Sequence, residues 1–325
     1  MEHESSISSD IDDIIIDEQE LSSNVVEETG SLIDFLSDVP YNPYVVSRET
    51  ITNESLVNIV NDSGSKFDSL VFEDCLFNLD RNTKDLKIDA GNISGLHFRK
   101  IGKGTRVPLY FLPDLLRNSC KRLELSDCHH VEAWTGTDFP NLSEFVMRRC
   151  EGSEVTAITA SNGKLTSIIC DGACLGSKKR PDPKLQSSNL SVLWMVHLDH
   201  CEISQMLDQV RRGSARDTIE ELLISWSFNT SASYENSVDL DAFGSLRRLT
   251  LRNLCANAIS TRRKAKTLDL FTIYIRSSTP LGDLLAKYGD AEEFRGVLET
   301  DPDLIECLPV VQSKFQNMKI HTMVK

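Results

Sequence analysis

The chain has 325 residues and a formal net charge of −14, long enough to bury a core as one elongated repeat domain or two compact ones. The charge is uneven: residues 1–40 hold twelve Asp and Glu and no Lys or Arg, and subtracting those twelve from 49 acids leaves 37 against 35 bases. The near-neutral body has no stretch approaching the roughly 20 apolar residues of a bilayer span and no concentrated basic face for a phosphate backbone. This argues against a membrane protein and against direct nucleic-acid binding.

The amino terminus, Met1-Glu2-His3-Glu4, lacks a basic region followed by an apolar run, so no export signal is expected. Nine cysteines, an odd number without an export signal, are expected as reduced thiols in the nucleus or cytoplasm.

Residues 1–48 are rich in Ser, Asp and Glu and poor in aromatics, a composition that predicts a disordered acidic tail. Within it, Ile14, Ile15 and Ile16, followed by Asp17 and Glu18 and preceded by Asp12 and Asp13, resemble a SUMO-interacting motif. Such a peptide adds a strand to its partner's sheet while its acids meet basic residues; Ser8 and Ser9 would reinforce it if phosphorylated. The plainer reading is an acidic tail that happens to contain isoleucines. Ser31 to Val39 alternates bulky apolar and acidic residues, which suits either a helix in a partner's groove or a segment docked on the protein's own body.

Residues 49–66 are expected to cap the body, with a helix within 50–64. From 67 to 275 an apolar triplet recurs. Leu123, Leu125 and Cys128 stand at relative positions 1, 3 and 6, as do Leu70-Phe72-Cys75, Phe145-Met147-Cys150 and Val196-Leu198-Cys201. Weaker copies are Ile168-Cys170-Ala173, Leu222-Ile224-Ser227, Leu249-Leu251-Leu254 and Leu268-Leu270-Ile273; residues 86–107 fit no clear register. From Leu123 onward the intervals are 22, 23, 28, 26, 27 and 19 residues. Alternating apolar residues put one strand face into a core, and stacking buries what one repeat cannot. Ile203, Met206, Leu207 and Val210 follow helical spacing, predicting a helix over 202–211, and 108–118 is a second candidate. Residues 276–325 read as a helical C-terminal cap over the last apolar layer.

With a period in the twenties, lead-ins such as FPNLSEF (139–145) and FGSLRRL (243–249), and Cys at the turn, the body resembles the cysteine-containing, ribonuclease-inhibitor-like leucine-rich repeats. The resemblance implies an α/β repeat fold: an irregular, curved parallel-sheet solenoid with helical caps. These repeats are common in F-box substrate receptors of ubiquitin ligases, which implies a protein-binding adaptor whose partners are SUMO or ubiquitin-ligase subunits. The chain departs from that pattern where an F-box should precede the repeats: residues 38–64 offer only Val39-Pro40 and SLVNIV. A transcription or chromatin-associated factor, with the tail as activation segment, is the alternative.

On a solenoid the residues between core leucines face the concave side. Candidates there are Val146, Arg148, Ile169, Trp194, His197, Leu223, Trp226, Arg248 and Arg252; apolar residues ringed by Trp and Arg are what anchors interfaces. Cys128-His129-His130 and His197-x-x-His200-Cys201 raise zinc, but no CxxC pair supports a structural site, and a cysteine ladder packed at the turns accounts for the same residues. Lys178-Lys179-Arg180 and Arg262-Arg263-Lys264 read as surface loops or import signals. No GxSxG, phosphate loop or HExxH occurs, so neither an enzyme nor a cofactor is expected.

Overall fold

The computed structural model describes residues 42–102, 104–131, 138–150, 164–172, 189–198, 200–226, 238–239, 243–252, 259–260, 267–271, 293–300 and 318–322, with side chains placed no further than Thr250. The chain divides into two units, Met1–Asn42 and Pro43–Lys325, and the second is the one described below. Ile14, Ile15, Ile16, Asp17, Glu18 and the rest of the acidic tail to Tyr41 lie outside the described residues, as do both basic clusters.

The second unit is an α/β fold built on a large parallel sheet with few helices. Its first strands are β1 (Pro43–Ser47), β2 (Thr50–Thr52), β3 (Ser69–Glu73), β4 (Leu76–Asn78), β5 (Gly95–Arg99), β6 (Arg122–Ser126), β7 (Glu144–Arg148) and β8 (Ser167–Asp171). They are followed by β9 (Val192–Leu198), β10 (Glu221–Trp226), β11 (Val238–Asp239), β12 (Arg248–Arg252), β13 (Ile259–Ser260), β14 (Thr267–Phe271), β15 (Glu293–Thr300) and β16 (Met318–Thr322). Among the described residues twelve strands form one sheet in chain order, omitting only β2, β4, β11 and β13, which pair among themselves.

Strands β3 and β5 to β8 each present two apolar residues, two positions apart, to the core. Leu70 and Phe72, Leu96 and Phe98, Leu123 and Leu125, Phe145 and Met147, and Ile168 and Cys170 all lie in one hydrophobic cluster. Each such side chain contributes about 1.5–3 kcal/mol by leaving water. The residue after each of β1, β3, β5, β6, β7 and β8 then turns to positive φ, as His197 does within β9: Arg48, Asp74, Lys100, Asp127, Arg149, Gly172 and His197 lie between 45° and 58°. This region costs a residue with a Cβ about 1 kcal/mol or more. It recurs here because the turned N–H still donates to the neighbouring strand: Asp74 to Arg99 O (2.9 Å), Lys100 to Ser126 O (2.9 Å), Arg149 to Asp171 O (2.7 Å). The following residue, Cys75, Ile101, Cys128, Cys150 or Leu198, re-enters the core. At the strand starts one carbonyl accepts from two successive amides, as Lys121 O does from Ser143 and Glu144 and Thr166 O from Ser191 and Val192. The backbone is thus paired at both ends of the strand as well as along it.

Helix α1 (Asn53–Ser63) begins at Thr52, whose hydroxyl accepts from Ser55 N while Ser55 Oγ accepts from Thr52 N, a reciprocal cap. Leu56 and Val60, four apart, enter the core. Gly91, at φ +50°, is required: a Cβ there would stand 2.0 Å from Gly64 O. Residues 108–118 divide into a 3-10 turn (Leu109–Phe111) and helix α2 (Asp114–Ser119), because Pro113 has no amide to continue a helical ladder. Helix α3 (His200–Arg212) contains the expected segment and buries Ile203, Met206, Leu207 and Val210 against the core.

Four expectations are corrected. The sheet begins at Pro43, inside the segment read as tail, since PYVVS pairs along its whole length with β3. Residues 86–107 do hold a strand, β5, with Ile101 taking the sixth position that Cys fills elsewhere. In β9 the core pair is Leu193 and Met195, with Leu198 sixth, and Val196 lies outside the core cluster. At the C-terminus, 293–300 and 318–322 are strands extending the sheet, where helix was expected; the amides and carbonyls exposed along the edge of β14 are satisfied by another parallel strand.

Candidate protein-binding face

Between β3 and β12 the sheet face turned away from the core carries the residue between the two core positions of a strand. Ladder pairing aligns Val146 with Ile169, Ile169 with Trp194, Trp194 with Leu223 and Leu223 with Thr250. Val146, Ile169, Trp194 and Leu223 therefore form one continuous apolar row across four strands. They are 2–5% exposed yet belong to no part of the core cluster, so the sheet has a second, separate apolar layer. Val71 lies on the same face further toward the amino end.

Trp194 Nε1–H donates to Glu221 Oε1 at 3.1 Å, and Glu221 Oε2 stands 3.7 Å from Arg248. One carboxylate thereby joins a row residue to a rim cation from strand β12. Arg148 is half-buried at the C-terminal end of β7, facing Asp171 in the ladder. His197 does not belong to the row: it is the positive-φ residue just before the end of β9, partly buried, with Nδ1 2.8 Å from Asp171 Oδ1. The seven-residue run VLWMVHL satisfies apolar alternation in either of two registers, and the longer β9 selects the one with Trp194 in the row. Trp226 and Arg252 are placed by backbone in β10 and β12, the latter pairing with Ser225, and their side chains lie outside the described residues.

No family model, curated protein or solved structure matches this chain.

At the amino-proximal end of the row His97 and Glu124 pair directly in the ladder, with His97 Nδ1 3.1 Å from Glu124 Oε2 and both side chains almost wholly buried. Arg122 and Arg99 guanidinium nitrogens lie 3.5 and 3.9 Å from the same carboxylate. Burial opposes ionisation of Glu124. The hydrogen bond to His97, together with the charges of His97, Arg148 and Arg99, outweighs it and brings the carboxyl to about 2. Burial pushes the His97 imidazole below its ordinary value. The net arrangement is an ionised carboxylate satisfied by surrounding donors. Sequence reading missed this cluster because His97 lay where no register was visible; the charged Glu124 between two core leucines was the available signal.

Cys75, Cys128 and Cys150 occupy core turns after their strands, Cys170 lies within β8, and Cys120 follows α2. Cys75 Sγ lies 3.4 Å from Val46 O and Cys128 Sγ 3.3 Å from Phe98 O, each across to the preceding strand. Burial pushes the Cys75, Cys120 and Cys170 thiols upward, which disfavours the thiolate needed for a nucleophile or metal ligand. Among the described residues no group of three or more His, Cys, Asp or Glu is placed to hold a metal ion, and no helix is long and apolar enough to cross a membrane. The side chains of His200 and Cys201 lie outside the described residues.

Proposed function

We propose that the body is a leucine-rich-repeat stack of the cysteine-containing type, acting without catalysis as a protein-binding adaptor, and that it serves as a substrate receptor or regulator in a ubiquitin or SUMO pathway. The feature from which we argue the binding role is the charged border of the outer face, Arg148 and, through Glu221, the half-exposed Arg248, beside the buried apolar row Val146–Ile169–Trp194–Leu223. A central apolar strip with Trp inside and charge at its edge is the arrangement that concentrates binding energy in few residues. The repeat reading is supported by the inward pair of apolar residues on successive strands, the turned residue after each, and Cys at the sixth position of three of them.

The test is quantitative affinity purification of the full chain beside two variants. Arg248→Glu changes a half-exposed rim residue and is expected to cut recovery of specific partners severalfold with an unchanged melting temperature. Leu223→Asp places a carboxylate at a position 4% exposed and is expected to lower the melting temperature, so it reports the packing of the row and not the contact with a partner. If the Arg248→Glu variant recovers every partner at the wild-type level, the face is not the interface. Recovery of ubiquitin-ligase or SUMO-conjugation subunits supports the pathway assignment, and recovery of transcription complexes alone replaces it.

A further inference from the structure

Among the described residues, cysteine fills the sixth position in the layers of β3, β6 and β7, and of these only β6 and β7 are neighbours in the sheet. Ser126 pairs with Arg148 at the ends of those two strands, so Cys128 and Cys150, each two residues further on, fall opposite one another. Between strand and cysteine, Asp127 and Arg149 both turn to positive φ and are joined by two hydrogen bonds of 2.7 and 2.9 Å. That fork holds the two turns at one level. Neighbouring strands lie about 4.8 Å apart, and a disulfide spans Cα separations of about 4.4–6.8 Å. Both residues are free thiols, and their sulfurs are close enough to share a hydrogen bond.

The two thiols are chemically unequal. Cys150 Sγ–H donates to Cys128 Sγ, which holds the Cys128 thiol below its ordinary value against the opposing effect of burial. The same bond, with burial, pushes Cys150 upward. Cys75, Cys120 and Cys170, whose shifts owe nothing to a second thiol, are all moved upward. The thiolate is the nucleophile in sulfur chemistry, so an attacking sulfur and a resolving one stand side by side in adjacent layers. Cys128 is 1% and Cys150 3% exposed. A bulky disulfide reagent is therefore shut out, and a matching oxidant is uncharged and of about the size of water, entering as the ends of β6 and β7 open locally.

We propose that Cys128 and Cys150 form an oxidation site that closes to an intramolecular disulfide with hydrogen peroxide. The Cys128 sulfur attacks one peroxide oxygen and the O–O bond breaks, leaving a sulfenic acid on Cys128 while the other oxygen departs as water with the thiol proton. The Cys150 sulfur then attacks the sulfenic sulfur, and the second oxygen departs as water with the Cys150 proton. Two thiols lose two electrons in all, and one peroxide becomes two waters. The new bond takes the place of the Sγ–H donors to Phe98 O and Arg148 O. It ties the layer that carries Val146 and Arg148 to the one that carries Glu124. The proposal stands on strand register and thiol chemistry, independently of the adaptor reading.

The experiment treats the full chain, reduced and freed of reductant, with hydrogen peroxide, blocks remaining thiols with N-ethylmaleimide in denaturant, and maps a non-reduced digest by mass spectrometry. A peptide pair joined through Cys128 and Cys150 is expected, and the number of titratable thiols falls from nine by two. Cys150→Ser removes the resolving thiol, so dimedone, which traps sulfenic acid, is expected to label Cys128 with no disulfide formed. Cys128→Ser is expected to leave Cys150 unlabelled, since its own thiol is pushed upward. Cys150→Ala and Cys128→Ala repeat both readings with no hydroxyl placed in the core, and the wild-type digest needs no variant. Nine titratable thiols after peroxide, a disulfide that leaves Cys128 and Cys150 alkylated, or dimedone on Cys150 in place of Cys128 overturns the proposal. None of these results involves Arg248 or partner recovery, so failure here leaves the adaptor reading standing, and the reverse also holds.

Discussion

Glu124 is the residue on which the outer face is electrostatically balanced. It is a carboxylate almost removed from solvent, with His97 beside it and Arg99 and Arg122 within 4 Å. Replacing it by Ala would leave the solvent-reachable Arg99 and Arg122 without their counter-charge and the buried His97 without its hydrogen-bond partner. Glu124→Ala is therefore expected to lower the unfolding free energy by about 1–3 kcal/mol in urea titrations, the cost of an orphaned buried polar group with screened charges beside it, while Glu124→Gln, which retains hydrogen bonding, costs less. The same residues set a pH dependence. His97 has a folded-state value below its ordinary 6.5, so the unfolded chain takes up the proton first and stability begins to fall as pH drops through 6.5. Glu124 has a folded value of about 2 against an ordinary 4.5, so its contribution is complete above 4.5 and is lost between 4.5 and 2. Both shifts have the same sign: the unfolded state binds more protons, and acid destabilises. Melting temperatures at pH 7.5, 5.5 and 4 should fall in two stages. His97→Gln should flatten the first stage, and Glu124→Gln the second. A melting temperature independent of pH over that range would show that neither group titrates as its surroundings require.

Among the elements, those with a strong local signal were legible in the sequence. Helix α3 follows from i, i+3, i+4, i+7 spacing, and strands β3, β6 and β7 from two apolar residues and a Cys at fixed offsets. Helix α1 follows similarly, and its start is sharpened by Thr52 and Ser55 capping each other. Thr52→Ala removes the acceptor for Ser55 N and is expected to cost about 1 kcal/mol, read as a lower urea midpoint with unchanged slope; no change would mean that packing of Leu56 and Val60 alone fixes the helix start. Elements with an ambiguous signal were misread. β9 is continuously apolar, so alternation could not distinguish Val196-Leu198 from Leu193-Met195, and only pairing to Ile169 and Leu223 on either side decides. β15 and β16 carry helix-compatible residues, and what makes them strands is the ladder offered by β14, a tertiary influence that local propensity does not contain. Of the candidate face, Val146, Ile169, Trp194 and Leu223 were readable once one register was right. The Glu221 bridge between Trp194 and Arg248 was not, because it joins residues from three strands.

At the scale of the whole sheet, strands next to each other in the sheet are also consecutive among its strands along the chain, from β1 to β16, and every described ladder is parallel. Contacts are thus to nearest neighbours, and the stack behaves as a one-dimensional array in which each layer is stabilised by the layers on either side. The turned residues reinforce this pairwise logic. Arg48 meets Asp74 at 3.7 Å, Lys100 meets Glu73 at 2.8 Å, and Arg149 meets Asp127 at 2.7 Å, so opposite charges connect successive layers along the line where the chain leaves each strand. Each exposed pair adds little energy, but a slip by one layer would set Asp74 and Asp127 against residues of like or no charge. A lesion in the middle of such an array should weaken its neighbours more than its ends. Phe145, fully buried in β7, is the place to make one. Phe145→Ala is expected to cost about 3–5 kcal/mol locally and, in hydrogen exchange read by mass spectrometry, to accelerate amides of β6, β7 and β8 strongly while those of β1 and β3 stay near wild-type rates. The fall-off with distance is the informative quantity, because a core shared by all layers would transmit the loss evenly. Uniform acceleration from β1 to β10 would mean that the unit unfolds as one cooperative body, and that binding at the Trp194 row would stabilise the amino-terminal layers as much as its own.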